Sequence, residues 1–212
     1  MTRGERVHLY WIVFFTTSVM FYLWWLRYYL SVFEFFMPVL IVMLMINIYF
    51  DEGLSRVGLR PSSFRGCFSD YGEQLAGVSI LLLWGIFMAG NLSKLINYES
   101  ASFLFRYILV GFVQQYFVNG FLVNRLAGFY GNECNKNISL ITGFIFGLIH
   151  LPNLFLMIVT GLGGYLCANI FLKYRNLYFN GLSHGVVAFL LFNAFPESIT
   201  RHFAVGIKYF SN

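Results

Sequence analysis

The 212-residue chain has little charge, because Asp, Glu, Lys and Arg together make up only 11% of it. A soluble domain has about 25%, so this chain cannot cover an ordinary soluble surface. Its 3 cysteines are too few for a secreted disulfide scaffold, and its 26 Phe and 14 Tyr fit neither a disordered chain nor a coiled coil. With 58% hydrophobic residues, the composition predicts an all-α fold, a polytopic membrane helix bundle forming one integral membrane domain over residues 1–212.

The charged residues divide the apolar sequence into stretches of membrane-spanning length. A spanning helix needs about 20 apolar residues, and a stretch much longer than that must hold two elements. The longest stretch is therefore predicted to break at His150-Leu-Pro-Asn153, whereas the glycines of 161–164 favour close helix packing. The count is about seven membrane segments, drawn from uncharged stretches at 7–26, 35–50, 74–93, 107–124, 137–172 and 176–195.

The formal net charge of +5 does not require a nucleic-acid partner. In a membrane protein, an excess of basic residues is accounted for by the segments that stay in the cytoplasm. With the N-terminus inside, the cytoplasmic segments hold nine of the 14 Lys and Arg, Arg125 among them. This predicts an integral protein of a bacterial inner (cytoplasmic) membrane, with lipid as a partner and no nucleic acid. The polar loop 51–73 is expected to carry a surface-lying helix around 61–68, and Glu99 and Glu133 are expected to be solvated.

Side chains that hydrogen-bond occur at positions where lipid would favour apolar ones. Such groups are costly in hydrocarbon and usually face the bundle interior. Gln115 and Asn119 lie four residues apart and share a helix face, with Gln114 about 100° to one side. Each amide or imidazole alone is typical of interhelical packing, but three segments that bring them together indicate a common site. The candidates are Gln114, Gln115, Asn119, Phe146, His150 and His184.

The order and spacing of these residues resemble the CPBP family of intramembrane endopeptidases, which includes CAAX prenyl proteases and the bacteriocin-processing or immunity (Abi) proteins. The family's Glu-Glu-x-x-x-Arg helix falls on Gln114, Gln115 and Asn119. Its Phe-x-x-x-His helix falls on Phe146 and His150, and its His-x-x-x-Asn/Asp helix falls on His184 followed by Ala188. The similarity covers a core of about residues 54–193.

The resemblance implies hydrolysis of a membrane-anchored peptide or protein substrate, with water activated in a membrane cavity. The family's glutamate would serve as the base, and an amide cannot accept that proton. One hypothesis is therefore an endopeptidase in which His150 or His184 is the base, Gln114, Gln115 and Asn119 orient water or stabilise the oxyanion, and Phe146 lines the substrate site.

The alternative hypothesis is a catalytically inactive relative that binds a hydrophobic peptide or lipid-linked ligand for immunity, chaperoning or regulation. A channel or transporter is a third and weaker interpretation, because no paired broken helices occur in matched halves. The sequence contains no HExxH and no Cys/His ligand spacing, so we predict neither a metal nor another cofactor.

Overall fold

The computed structural model describes residues 1–95, 98–131 and 134–211, and this part of the chain is a bundle of helices without a β-strand. The helices are α1 (Arg3–Trp24), α2 (Val32–Tyr49), α3 (Leu54–Val57), α4 (Phe64–Met88), α5 (Tyr98–Gln115), α6 (Asn124–Tyr130), α7 (Asn135–Leu148), α8 (Leu154–Tyr174), α9 (Leu177–Ala194) and α10 (Glu197–Thr200). A π-helical segment, Tyr116–Val123, joins α5 to α6.

Six helices in the described residues are long and apolar enough to cross a membrane. They are α1, α2, α4, the continuous helix Glu99–Tyr130, α8 and α9. Their outer faces carry large apolar side chains, such as Ile48 and Leu81, which are 76% and 71% exposed. Such faces require a lipid environment. The chain is therefore an all-α membrane bundle. Its described residues contain six helices of spanning length where the sequence predicted about seven, because α7, at 14 residues, is too short to be counted with them.

Polar side chains fix where several helices begin. Thr2 and Ser31 form capping boxes with Glu5 and Glu34, so the first turns of α1 and α2 have bonded backbone N–H groups. The Asn153 side chain accepts a hydrogen bond from the Leu156 N–H at 3.1 Å and caps α8. The predicted break is confirmed, because α7 ends at Leu148 and α8 begins at Leu154.

Glycines allow two helix pairs to approach closely, α7 against α8 and α5 against α9. A Cβ built on Gly143 would lie 2.5 Å from the Gly161 carbonyl oxygen, and one built on Gly185 would lie 2.5 Å from the Ile108 Cα. The prediction that the 161–164 glycines serve packing is confirmed for Gly161 and Gly164, which face α7, whereas Gly163 has nothing within 4 Å.

The structure corrects the prediction for the polar loop. Residues 61–68 do not form a separate surface helix, because a 3₁₀ turn at Pro61–Ser63 leads directly into α4 at Phe64. The loop before it is held by an antiparallel bridge between Leu59 and Asn176, beside the N-terminus of α9. The reason is geometric. Because the bridge holds the loop beside α9, α4 begins directly after the 3₁₀ turn and packs along α9.

Arg125 is not a solvated loop charge, although its sequence position placed it among the cytoplasmic basic residues. Its side chain is 0% exposed and forms an ion pair with Glu52, whose side chain is 2% exposed. The guanidinium also lies 4.1 Å from the centroid of the Phe50 ring. Burial raises the pKa of the Glu52 carboxyl, while Arg125 acts to lower it. This buried ion pair connects the loop that follows α2 to α6.

The states of the cysteines and of Glu99 agree with the sequence predictions. The three cysteines, Cys67, Cys134 and Cys167, are free, as the sequence predicted. Glu99 is exposed, also as predicted, and Glu133 lies outside the described residues.

Candidate functional site

A chain of hydrogen bonds links the amides of the fourth spanning helix to an imidazole of α9. The Asn119 Nδ2 donates to Gln115 Oε1, and the Gln115 Nε2 lies 3.1 Å from His184 Nδ1. Gln115 and Asn119 are both 0% exposed. The spacing of four residues brings them to one helix face, at the point where the α-helix changes to a π-helix. π-Helical turns are frequent at functional sites because they alter which side chains face a neighbour.

Close packing of α5 against α9 brings these groups within reach of one another. A Cβ on Gly111 would lie 2.8 Å from the Gly181 carbonyl oxygen and 3.2 Å from the His184 ring. With no side chain at Gly111 or Gly185, the two backbones approach far enough for Gln115 to reach His184. Small residues on both helices are thus what allows the amide–imidazole contact to form.

His150 lies where α7 ends, and its ring is held by two partners. Its Nδ1 is 2.7 Å from the Phe146 carbonyl oxygen and 3.1 Å from the Thr160 Oγ1. The Thr160 hydroxyl itself donates to the Leu156 carbonyl at 2.7 Å, so its oxygen is free to accept from His150. These contacts fix the orientation of the His150 ring.

The Phe146 ring connects the two histidines. Its centroid is 5.0 Å from that of His150, edge to face, and 5.9 Å from that of His184. Phe146 is 2% exposed and packs against Gly164 of α8, where a Cβ would approach its ring to 3.0 Å. Both imidazoles therefore lie against one buried aromatic ring.

The hydrogen-bond partners determine which nitrogen of each neutral imidazole carries the proton. A carbonyl oxygen only accepts, so the His150 Nδ1 is a donor and its Nε2 has a free lone pair. An amide nitrogen only donates, so the His184 Nδ1 is an acceptor and its Nε2 carries the proton. The arrangement therefore offers one imidazole that can accept a proton and another that can donate a hydrogen bond.

Gln114 is not joined to this arrangement. Its side chain is half-buried and forms no hydrogen bond with other side chains in the described ranges. No Asp or Glu of those ranges hydrogen-bonds to Gln115, His150 or His184, and nowhere in them do three or more His, Cys, Asp or Glu residues form a group that could hold a metal ion.

Thr160 and Asn153 were not candidates in the sequence. Thr160 lies in the middle of an apolar helix, ten residues after His150, and no spacing rule connects a threonine on one helix to a histidine at the end of another. Asn153 is 1% exposed, and besides capping α8 its Nδ2 donates to the carbonyls of Thr200 and Ala204 at 3.0 and 3.2 Å. In the sequence, Asn153 was marked only by its place at the end of the predicted helix break, His150–Asn153.

Comparison with known families agrees with this geometry. Residues 96–190 match the model described as Rce1-like, type II CAAX prenyl endopeptidase Rce1-like. This part of the chain is Rce1-like. The matched residues run from the start of α5 into α9 and contain Gln115, His150 and His184. The resemblance to the CPBP and CAAX protease family is thereby confirmed, and it supports an intramembrane endopeptidase at the level of the family. No curated protein and no solved structure matches the chain.

Proposed function

We propose that the Rce1-like chain is an intramembrane endopeptidase that hydrolyses a membrane-associated peptide near its C-terminus, with His150 as the general base. The observation that supports this most strongly is that the His150 Nδ1 contacts the Phe146 carbonyl and the His184 Nδ1 contacts the Gln115 amide, with both rings against Phe146. A hydrolase needs one group that takes a proton from water and another that donates to the developing oxyanion. In the proposal, His150 is the group that takes the proton and His184 is the group that donates to the oxyanion, so no carboxylate is needed.

In the proposed reaction, the His150 Nε2 accepts a proton as the water oxygen bonds to the substrate carbonyl carbon. The Phe146 carbonyl and Thr160 hold the ring and stabilise the imidazolium, since both accept from its Nδ1–H. The imidazolium then gives the proton to the leaving amine as the carbon–nitrogen bond breaks. This role resembles that of any histidine whose second nitrogen is fixed by a hydrogen-bond acceptor.

His184 acts in this proposal as the oxyanion donor through its Nε2–H. Gln115 accepts from Asn119 and donates to His184, so the three side chains form one directed chain of donors. A donor prepared in this way does not need to reorganise during the reaction, and one such donor is worth about 3 to 4 kcal/mol of transition-state stabilisation. Gln115 and Asn119 are positioning residues, while Gln114 has no assigned role.

A second candidate function follows from the amides themselves. In the motif resemblance read from the sequence, Gln114 and Gln115 fall on the family's glutamate positions, and the described site contains no carboxylate. This observation favours an inactive relative that binds a hydrophobic peptide. We place the endopeptidase first, because each histidine is oriented by contacts at its Nδ1 and both rings lie against Phe146.

The two functions are separated by an assay in proteoliposomes. The purified chain is incubated with farnesylated C-terminal CAAX peptides and with a library of C-terminal membrane peptides, and products are identified by mass spectrometry. The endopeptidase predicts cleavage by the wild type that is lost in His150→Ala. The binder predicts no cleavage by the wild type and cleavage that appears in Gln114→Glu or Gln115→Glu.

A further inference from the structure

A groove runs between α1 and α2 on the lipid-facing side of the bundle. Its volume is about 350 Å³, which lies within the range of about 300 to 1,000 Å³ typical of ligand pockets. The surface is almost entirely apolar, so the groove suits a hydrocarbon chain. The lining residues are Val7, Trp11, Val42, Met45, Ile46 and Tyr49.

One end of the groove reaches the charged end of the bundle. Val7 and Tyr49, which line it, are followed by His8 and Phe50, whose rings stack with centroids 4.6 Å apart. The Arg125 guanidinium lies 4.1 Å from the same Phe50 centroid. The apolar groove therefore continues directly into the buried ion pair.

Arg56 completes this series of contacts at the surface. Arg125 pairs with Glu52, and the Arg56 Nε lies 3.4 Å from the same Glu52 carboxylate oxygen. The side chain of Arg56 is 50% exposed, so part of its guanidinium faces outward. An unbroken run of contacts thus connects the groove to an accessible cation.

Basic residues exceed acidic ones around this end of the groove. Arg3 and Arg6, in the first two turns of α1, are exposed. Two of the three acidic side chains there already have partners. Glu5 caps the N-terminus of α1, and Glu52 contacts both Arg56 and Arg125. The third, Asp51, is exposed. An arginine cluster at a membrane surface attracts anionic headgroups.

We propose that the groove and its basic end form a binding site for an anionic glycerophospholipid. One acyl chain occupies the groove between α1 and α2, and the headgroup phosphate lies against Arg56 and Arg6. Charge complementarity selects this occupant over a zwitterionic lipid, because the exposed Arg6 directly precedes Val7 of the groove lining and Arg56 is 50% exposed at the end of the contact series. The site is separate from the proposed peptidase residues and does not depend on that function.

Trp11 lines the groove and serves as a reporter. The other tryptophans, Trp24, Trp25 and Trp84, are replaced by Phe, and the Trp11-only protein is reconstituted in phosphatidylcholine bilayers. Brominated phosphatidylglycerol or brominated phosphatidylcholine is then added in increasing mole fraction, because bromine quenches only tryptophans in contact with it. We expect half-maximal quenching of Trp11 at a several-fold lower fraction of the brominated phosphatidylglycerol.

A Trp84-only protein is the matched control. Trp84 is 61% exposed on α4 and does not line the groove between α1 and α2, so it should be quenched equally by the two brominated lipids. If the triple substitution prevents folding, the difference between the wild type and Trp11→Phe provides the same signal with the other tryptophans retained.

Charge substitutions test the headgroup contact. Arg6→Gln combined with Arg56→Gln should remove the preference of Trp11 for phosphatidylglycerol, whereas Arg65→Gln, an exposed arginine on α4, should preserve it. Equal quenching by both lipids in the wild-type background would overturn the proposal, as would a preference that survives the double substitution. Absence of quenching by either lipid would also overturn it, because it would show that a protein segment covers the groove.

Discussion

Gly185 offers the clearest test of how the fold positions the site. A Cβ added there would lie 2.5 Å from the Ile108 Cα and 2.8 Å from its backbone nitrogen, and neither atom can rotate away. Carbon atoms in contact are separated by about 3.5 Å, so Gly185→Ala must move α9 away from α5 by about 1 Å. The adjacent hydrogen bond from Gln115 to His184, now 3.1 Å, would then exceed hydrogen-bond length.

Two effects of Gly185→Ala are expected. Overpacking should lower the free energy of unfolding by about 1 to 3 kcal/mol. Loss of the oriented donor should lower kcat/KM about 100-fold, as a displacement of about 1 Å at a catalytic group can do. Stability is measured by reversible unfolding in mixed detergent micelles, and activity by peptide cleavage in proteoliposomes with equal amounts of folded protein.

Gly163→Ala is the matched control on α8. Nothing lies within 4 Å of a Cβ built at Gly163, so the substitution should leave cleavage unchanged and raise stability by up to about 1 kcal/mol through helix propensity. Equal cleavage rates and equal stabilities for the two variants would refute the reasoning. A second readout that does not require activity is the tautomer of His184, which nitrogen NMR should show as protonated at Nε2 in the wild type and as a mixture in Gly185→Ala.

Substitutions at the Arg125–Glu52 pair, at Thr160 and at Asn153 test further contacts. Arg125→Met leaves the buried Glu52 carboxylate with only the half-exposed Arg56 as its partner, so it should cost up to about 3 to 5 kcal/mol at neutral pH, measured by detergent unfolding. Arg125→Met combined with Glu52→Gln should recover most of this stability. Since burial raises the pKa of Glu52, the single variant should be most stable below about pH 4 and lose stability as pH rises, and the double variant should show no such trend. Thr160→Val should lower kcat about 5- to 10-fold with KM unchanged, because one hydrogen bond to His150 is lost; equal kcat would exclude an orienting role. Asn153→Asp keeps the α8 cap but not the donor to the C-terminal carbonyls, so it should destabilise by about 1 to 3 kcal/mol, and unchanged thermal unfolding would contradict this.

Hydropathy predicted the membrane helices because their apolar length is set by the bilayer and is read directly from the sequence. The break at His150–Asn153 was also predictable, since proline and an N-capping asparagine are local signals. The hydrogen bond between Asn119 and Gln115 follows from their spacing of four residues. These features depend on neighbours along the chain.

Features that depend on distant parts of the chain were not predictable. Arg125 was counted among the basic residues of the cytoplasmic segments, whereas Glu52, 73 positions earlier, pairs with it inside the bundle. The contact of Thr160 with His150 exists only because glycines bring α7 and α8 together. The sequence places Gln115 and Asn119 on one helix face, but only the packing of the fourth spanning helix against α9 places Gln115 against His184.

Cleavage of a membrane-anchored C-terminal peptide by the wild type, compared with His150→Ala in the same proteoliposomes, tests the central claim most directly. The account predicts that the wild type releases a defined C-terminal fragment and that His150→Ala releases none while retaining its helical content. A wild type that binds the peptide without cutting it, together with cleavage by Gln115→Glu, would contradict the claim that His150 suffices as the base.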